Sequence, residues 1–333
     1  MTHDYFALKD RLTTSWKSAG TKNFRLASSR LLGFYGTNLQ NPSPSLMRCV
    51  IPEDGHIFLQ PDQAGAEALI VAYEAPKGKF RRTFELGIKI HSYLALQIFT
   101  SQFKNEHPES RYKFVDPDVL VALPEYATLF NTIKESGKPY DLGKRVIHAK
   151  NYDMGPRTFQ TNVLEMSEGE IVLTYKEAKD FLSVHEQTFP EIQALLAEIR
   201  GRLACRVLHN LFGYPRFFGG LWNDSLLRDA YAFIPQSTVG CITNKAYVAI
   251  WKKIRAEKLP WMLLNNKHDS LLLSVPDVAE HKEHARATVK KHIEVDLTST
   301  RGETYQMKSG LSWGYNWAKY HKQHNPQGMR EEK

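Results

Sequence analysis

Cysteine is scarce in this 333-residue chain: there are three, Cys49, Cys205 and Cys241, far apart and in apolar contexts. That excludes a disulfide framework and a thiolate zinc site, and leaves reduced core residues. No stretch approaches the roughly 18 uninterrupted apolar residues that a membrane span requires. The N-terminal MTHDYFALKDRL lacks the apolar core of a secretory signal. Internal repeats and low-complexity tracts are also missing. These absences describe a cytosolic type of globular protein without a membrane partner, long enough for about two or three subdomains. Acidic residues are the minority as well: 36 Asp and Glu against 44 Lys and Arg give a formal charge of +8. Such an excess favours a polyanionic partner, though only modestly.

What is present is organised around Gly55–Tyr73, GHIFLQPDQAGAEALIVAY. A short apolar run (His56 to Leu59) meets a turn at Pro61, and Ala66, Leu69, Ile70 and Tyr73 then follow at helical spacing. This predicts a buried strand running into a helix, with Asp62 at the junction and Glu67 further along the helix. A carboxylate there is either a helix cap or a ligand for a cation, and the local sequence supports both readings.

Taken in order, the chain predicts a short helix from Tyr5 to Trp16, then an irregular stretch, GFYGTNLQNPSPS. Within it Asn38, Gln40 and Asn41 cluster amides that suit turns, sugars or minor-groove base edges. Leu46 to Pro52 and His56 to Leu59 read as a hairpin turning at Glu53-Asp54-Gly55. A helix over FELGIKIHSYLALQIF carries His91, and another is expected from Tyr126 to Ser136. In DLGKRVIHAKNYDMGPRTFQ, Lys144, His148 and Tyr152 fall at i, i+4 and i+8. One helical ridge therefore offers a cation, an imidazole and a phenol, either as a solvated face or as a grip for phosphate and a stacked ring. Gly155-Pro156 should end or bend that helix.

Helices are predicted through residues 167–204, then a hairpin in RVLHNLFGYPRFFGGLW. A long helix from about Asn223 to Lys258 follows, carrying Arg228 and Gln236, with Pro235 expected to kink it. In WMLLNNKHDSLLLSV two apolar runs flank a polar turn, predicting a core hairpin with Asp269 at its tip beside His268. His281-x-x-His284 has metal-like spacing without further ligands and reads as a solvated helix face. SGLSWGYNWAKY closes the fold, and the polar tail from His321 is expected to be disordered.

Two carboxylates from distant segments can share divalent cations, and magnesium favours one or two carboxylates plus substrate phosphates. Two such ions about 4 Å apart can activate a hydroxyl and neutralise a leaving pyrophosphate.

These pieces, in this order, resemble the palm and fingers of a family A DNA polymerase, the bacterial DNA polymerase I class, most like its bacteriophage members. NLQN followed by RCVIPEDG resembles the family's NLQNIP and R-x-x-F-x-P-x-x-G. PDQAGAEAL resembles motif A, GKRVIHAKNYD the motif B helix, and KHDS motif C. NLFGYPRFF, RDAYAFIPQSTVG and GYNWAKY resemble its LFGRRR hairpin, its R-x-x-x-N-x-P-x-Q-G-T-A and its closing G-x-x-W-x-x-A. The resemblance covers about residues 30–320.

It implies an α+β fold: an antiparallel palm sheet carrying the catalytic aspartates, plus a mostly helical fingers subdomain. The implied divisions are an N-terminal extension (1–30), palm (31–90), fingers (91–220, motif B helix about 141–154), palm again (221–320) and a tail (321–333). It implies a template-directed DNA polymerase working on primer–template DNA and dNTPs with two Mg2+ ions, Mn2+ being a possible substitute, in the cytoplasm (that of the host for a viral protein). Asp62 and Asp269 would be the metal-binding aspartates, with the backbone carbonyl of Gln63 a third ligand. Glu67 would be the steric gate against a ribose 2′-hydroxyl, and His91, Lys144 and His148 would contact the triphosphate. His148 would also protonate the leaving group, and Tyr152 would stack near the incoming base. Asn38, Gln40, Asn41, Arg228, Gln236 and His268 would line the primer–template minor groove.

Several positions depart from the family's pattern. His148 stands at its triphosphate-binding lysine, and imidazolium is only partly populated at neutral pH. Lys144 replaces an arginine and loses the bidentate phosphate grip. Asp153 stands at a glycine, Pro156 at a second aromatic, and Ser270 at the acidic neighbour of motif C. Motif B can also be read with Lys150 as its functional lysine. Only about 30 residues precede the NLQN region, too few for the helical thumb or a 3′–5′ exonuclease domain. The expectation is half of a split polymerase whose partner chain supplies both. The other reading is a degenerate polymerase-like module that binds DNA or a replication partner without catalysis.

Overall fold

The computed structural model describes residues 11–18, 20–30, 36–63, 65–103 and 112–332. Its elements begin with β1 (Ser15–Lys17), β2 (Ala27–Ser29), α1 (Pro44–Cys49), β3 (His56–Gln63), α2 (Ala66–Glu74), α3 (Lys79–Glu85) and α4 (Ile90–Ile98). Helices α5 (Pro117–Val121), α6 (Tyr126–Glu135), α7 (Lys138–Asn151), α8 (Pro156–Met166), α9 (Tyr175–Thr188) and α10 (Pro190–Arg202) follow. Then come β4 (Val207–His209), β5 (Pro215–Phe217), α11 (Asp224–Glu257), β6 (Met262–Lys267), β7 (Ser270–Pro276) and α12 (Ala279–Ile293). Strands β8 (Asp296–Thr298), β9 (Thr304–Gln306), β10 (Ser309–Gly314) and β11 (Arg330–Glu331) complete the chain.

The chain divides into two compact units. The first comprises Met1–Ala66, Gln236–Leu297 and Thr304–Lys333, the second Glu67–Pro235 and Thr298–Glu303. The first is built on an antiparallel sheet in the order β11-β10-β3-β7-β6. Alternate residues of a strand face opposite sides. Ile57 and Leu59 of β3 pack with Leu271, Leu273 and Val275 of β7 against Ile250 of α11 and Val289 of α12. Phe58 and Leu272 point the other way, onto Trp317 and Met329. With apolar partners on both faces, these strands read as continuous apolar runs rather than alternating ones.

The second unit is mostly helical, and its largest helix contact is α4 against α7. Phe80, Phe189 and Tyr93 form an aromatic centre, with ring centroids 4.9 Å apart for Phe80–Phe189 and 5.8 Å for Tyr93–Phe189. Helix α9 opens on a capping box in which Thr174 and Glu177 satisfy each other's backbone N–H groups. Pro190 occupies the first turn of α10, where its missing N–H costs nothing. The architecture is thus α+β, and the paired strands β3 and β7 bring Asp62 and the β6–β7 turn together. Among the described residues, no helix is long and apolar enough to cross a membrane.

Several local expectations are corrected. Residues 44–49 form α1, not the first arm of a hairpin: Ser43 caps it by accepting from the Leu46 N–H at 3.3 Å, and Pro44 presets the first turn. Pro61 does not end β3. Pairing with β7 lapses at Gln60 and Pro61, where an N–H is missing, and resumes at Asp62↔Ser270. The apolar stretch with His91 is two helices, parted where Gly87 adopts φ +69°. Of the helix predicted from Tyr5 to Trp16, the first part lies outside the described residues; residues 11–14 are irregular and Ser15 begins β1. The segment after His321 is ordered: β11 pairs with β10, Met329 is buried, and the Asn316 and Asn325 amides exchange hydrogen bonds of 2.8 and 3.0 Å.

Candidate functional site

In the first unit the β6–β7 turn is tight, with His268 at φ +53° and the Asp269 N–H directed at the Lys267 carbonyl (2.6 Å). The Gln63 N–H donates to the Asp269 carbonyl at 3.1 Å, and Asp62 stands opposite Ser270. Asp62 on β3 is therefore one register step from Asp269, which sits in the turn just before β7. On its other side Asp62 faces Gly310 of β10, so both strand neighbours of this exposed carboxylate are small.

That arrangement fits a magnesium ion better than a transition metal. The donors are hard carboxylate oxygens, Asp62 being exposed and Asp269 half-buried, and magnesium keeps several waters and needs one or two carboxylates. Among the described residues no group of three or more His, Cys, Asp or Glu is arranged to hold a metal. A cage built wholly from protein ligands is thus not what these residues offer.

Sequence reasoning missed Thr243 on α11. Its Oγ1 lies 2.7 Å from Gln63 Nε2 and 3.0 Å from the carbonyl of His268, tying the end of β3 to the turn that carries Asp269. A threonine facing inward from a helix leaves no local pattern. Gln63 is itself buried, and its Oε1 has no partner among the described residues.

The amide-rich segment has a structural use. Gln40 is 3% exposed; its Oε1 accepts from the Ser28 N–H, and its Nε2 donates to the carbonyls of Leu26 and Asn266 at 2.9 and 3.2 Å. Both ends of that amide are spent within the protein. Asn38 and Asn41 are exposed, although Asn38 Oδ1 accepts from Ser28 Oγ at 2.6 Å. Gln236, half-buried, accepts from Asn23 Nδ2 at 2.7 Å. His268 is also half-buried.

In the second unit, Lys144 and His148 are exposed on α7, and Tyr152 is buried at its C-cap. The His148 and Tyr152 rings meet edge to face at 5.2 Å, and the Tyr152 hydroxyl donates to Glu67 Oε2. His91 lies on α4 with its ring edge-on to Tyr140 at 6.3 Å. Burial, then Lys144, His148 and Lys89, pull its pKa down to about 4. At neutral pH it can meet an anion only as a neutral N–H donor. Lys150 is buried and held by Glu186 (2.7 Å) and Asp153 (3.3 Å), which removes it as an alternative ligand. Arg228 is exposed near the start of α11; the neighbouring Asp229 is held by Arg216 at 2.6 Å. His281 and His284 of α12 pack on Trp261 and gather no third ligand among the described residues.

No family model matches the chain. It is similar to DNA polymerase I of Caldicellulosiruptor bescii, at 21% identity over 318 residues, covering 91% of this chain and 32% of the relative. The thermostable DNA polymerase I of Thermus filiformis is 24% identical over 298 residues, covering 85% of this chain and 30% of the relative. DNA polymerase I of Borreliella burgdorferi is 20% identical over 325 residues, covering 94% and 30%. The chain spans about a third of the length of these curated relatives. Among solved structures, the POL domain of Pol1 from M. smegmatis, in complex with DNA primer-template and dNTP, matches with a TM-score of 0.64 at 16% identity. That match covers 92% of this chain and 48% of the other, and at such identity it is a likeness of fold. With Asp62 on β3 and Asp269 in the turn that leads into the neighbouring β7, the chain is similar to bacterial DNA polymerase I in sequence and to a polymerase domain in fold.

Proposed function

We propose that this chain is a template-directed DNA polymerase, or the palm and fingers portion of one, adding deoxynucleotides to a primer 3′-hydroxyl. The observation that carries the reading is the pairing of β3 with β7, which sets Asp62 beside the turn bearing Asp269. Asp62 and Asp269 would hold two Mg2+ ions, with the Gln63 carbonyl as a further oxygen ligand. Bound there, the ions would lower the pKa of the primer hydroxyl and offset charge on the leaving pyrophosphate. In this reading the first unit is the palm and the second the fingers.

The roles of the other residues follow from their chemistry. Lys144 supplies the fixed positive charge for the triphosphate, because His91 is held neutral by burial and by neighbouring cations. His148, exposed on the same helix, is the group able to give a proton to the departing pyrophosphate. Glu67, held by Tyr152, sits where the resemblance assigns the gate against a 2′-hydroxyl. Asn38, Asn41, Arg228, Gln236 and His268 remain proposed contacts to the primer–template. Gln40 acts behind them, fixing the loop that presents Asn38 and Asn41.

The test is single-nucleotide incorporation on a primed template with Mg2+, comparing the wild type with Asp62→Asn and Asp269→Asn. Each substitution should abolish incorporation while leaving primer–template affinity within about threefold. A wild-type chain that binds DNA yet incorporates nothing, even with a partner chain that grips the duplex, would establish the non-catalytic module instead. A gain in processivity at physiological salt on adding such a partner would support the split arrangement, since each phosphate contact contributes to salt-dependent affinity.

A further inference from the structure

Among the described residues, the two most exposed large apolar side chains are Leu221 (83%) and Phe217 (76%), on and just after the β4–β5 hairpin of the second unit. The hairpin beneath them is well made. Asn210 Oδ1 accepts from the backbone N–H groups of Phe212 and Tyr214, both at 3.0 Å, closing the turn. The register Val207↔Phe217 and Leu208↔Arg216 puts neighbouring side chains on opposite faces, so Leu208 is buried while Phe217 stands in solvent. Phe218 takes the inward place, its ring 5.9 Å from that of Phe233. Exposure of Phe217 is thus imposed by the register rather than by looseness.

A second exposed ring, Trp222, is fixed by Arg206. That guanidinium donates to the carbonyls of Phe218 (3.3 Å) and Gly220 (3.2 Å) and lies 5.0 Å from the Trp222 ring centroid. Charge on this segment has one sign. From Ile199 to Asn223 there is no Asp or Glu, and there are four arginines. Of the acids nearest to it, Glu198 is held by Arg301 and Asp229 by Arg216, and Asp224 stands at the start of α11. Arg200 and Arg202 are exposed and make no ion pair among the described residues.

Rings presented on a rigid base, in a segment with four arginines and no acid between Ile199 and Asn223, match a ligand offering both phosphates and bare π-faces. Single-stranded nucleic acid has both, whereas a duplex hides the faces of its bases. We propose that the β4–β5 hairpin is a stacking platform for single-stranded nucleic acid, with bases on Phe217 and Trp222 and phosphates beside Arg200 and Arg202. An unpaired template strand is the source that the polymerase reading would supply, but the platform needs neither nucleotide nor metal.

The experiment is fluorescence anisotropy of labelled single-stranded dT and rU oligomers and of a blunt duplex, without Mg2+ or dNTP. Phe217→Leu and Trp222→Leu keep apolar bulk without the ring, and each should weaken single-strand binding about five- to tenfold, the lower range for loss of one stacked base. Phe217→Trp should bind as the wild type, and duplex affinity should change less than about twofold. The Arg200→Gln/Arg202→Gln pair should lower the slope of log affinity against log salt by roughly one. Equal loss on dT and rU identifies stacking on bases of either sugar; loss on dT alone identifies DNA. Wild-type single-strand affinity in both leucine variants, or equal losses on the duplex, would overturn the platform. Thermal melting of each variant separates misfolding from lost contact, with Phe217→Trp as the fold-preserving control. Asp62→Asn should leave this binding intact, so a failed polymerase assay does not decide the outcome.

Discussion

Tyr152, at the C-cap of α7, donates its phenolic hydroxyl to the carboxylate of Glu67 in the first turn of α2. A carboxylate held by a buried phenol is kept in one position instead of wandering among rotamers. If Glu67 is the gate, Glu67→Ala should raise the ribonucleotide-to-deoxynucleotide incorporation ratio by about tenfold or more, the scale on which a well-placed polar or steric contact discriminates. Tyr152→Phe removes this hydrogen bond to Glu67 and should move the ratio the same way by less. Single-turnover insertion of rNTP against dNTP measures both, and unchanged ratios would remove the assignment.

The lysines of α7 have separable roles. Lys150 is buried between Glu186 and Asp153, whereas Lys144 is exposed. Lys144→Met should raise KM for dNTP by about tenfold or more, the worth of a charge-assisted hydrogen bond to phosphate. Lys150→Met should leave KM near the wild-type value, since burial in ion pairs keeps it from a ligand. The reverse pattern would shift the register of the nucleotide-binding stripe.

Gly143 allows α7 to approach α4. A Cβ built there would lie 2.6 Å from the His91 carbonyl oxygen and 2.9 Å from the Ala95 Cβ. Glycine to alanine in a helix is ordinarily favourable by about 1 kcal/mol. Here the clash is with backbone, and overpacking costs about 1–3 kcal/mol. Gly143→Ala should therefore lower the melting temperature; a rise would mean that the two helices separate easily.

The hairpin bearing Asp269 was legible because two apolar runs flank NNKHD, and the stripe on α7 because helical spacing needs no distant information. Other features depend on partners far away in sequence. Gln40 resembled a base-reading amide, but its environment is made by Leu26, Ser28 and Asn266. The polar tail looked unable to fold alone; it is ordered because β10 offers an edge to β11. The misread arm before His56 is different in kind. There the Ser43-Pro44 helix-start signal was present, and the apolar residues Leu46, Met47 and Val50 outweighed it.

Thr243 offers a test of positioning without touching substrate. Thr243→Val preserves shape but leaves Gln63 Nε2 and the His268 carbonyl without this partner. An unsatisfied buried polar group costs about 1–3 kcal/mol. The variant should lose kcat with little change in KM for dNTP, and Thr243→Ser should restore it. Equal loss in the serine variant would make the residue merely a packing element.

Acid should destabilise the second unit through two histidines. His185 is fully buried beside Phe189 and Phe80, and both ring nitrogens lack partners among the described residues. Burial, with Lys150 adding to it, pulls its pKa down to about 3, and His91 falls to about 4. In the unfolded chain both would titrate near 6.5, so below that pH the unfolded state binds more protons than the folded one. Their stabilising contribution is complete above pH 6.5 and is lost as pH falls toward 4 for His91 and 3 for His185. The loss is on the order of 1 kcal/mol per pH unit for each. Urea denaturation between pH 7 and 5 should show this slope, and His185→Leu should flatten it by about half. A variant retaining the full slope would assign the acid sensitivity to other groups.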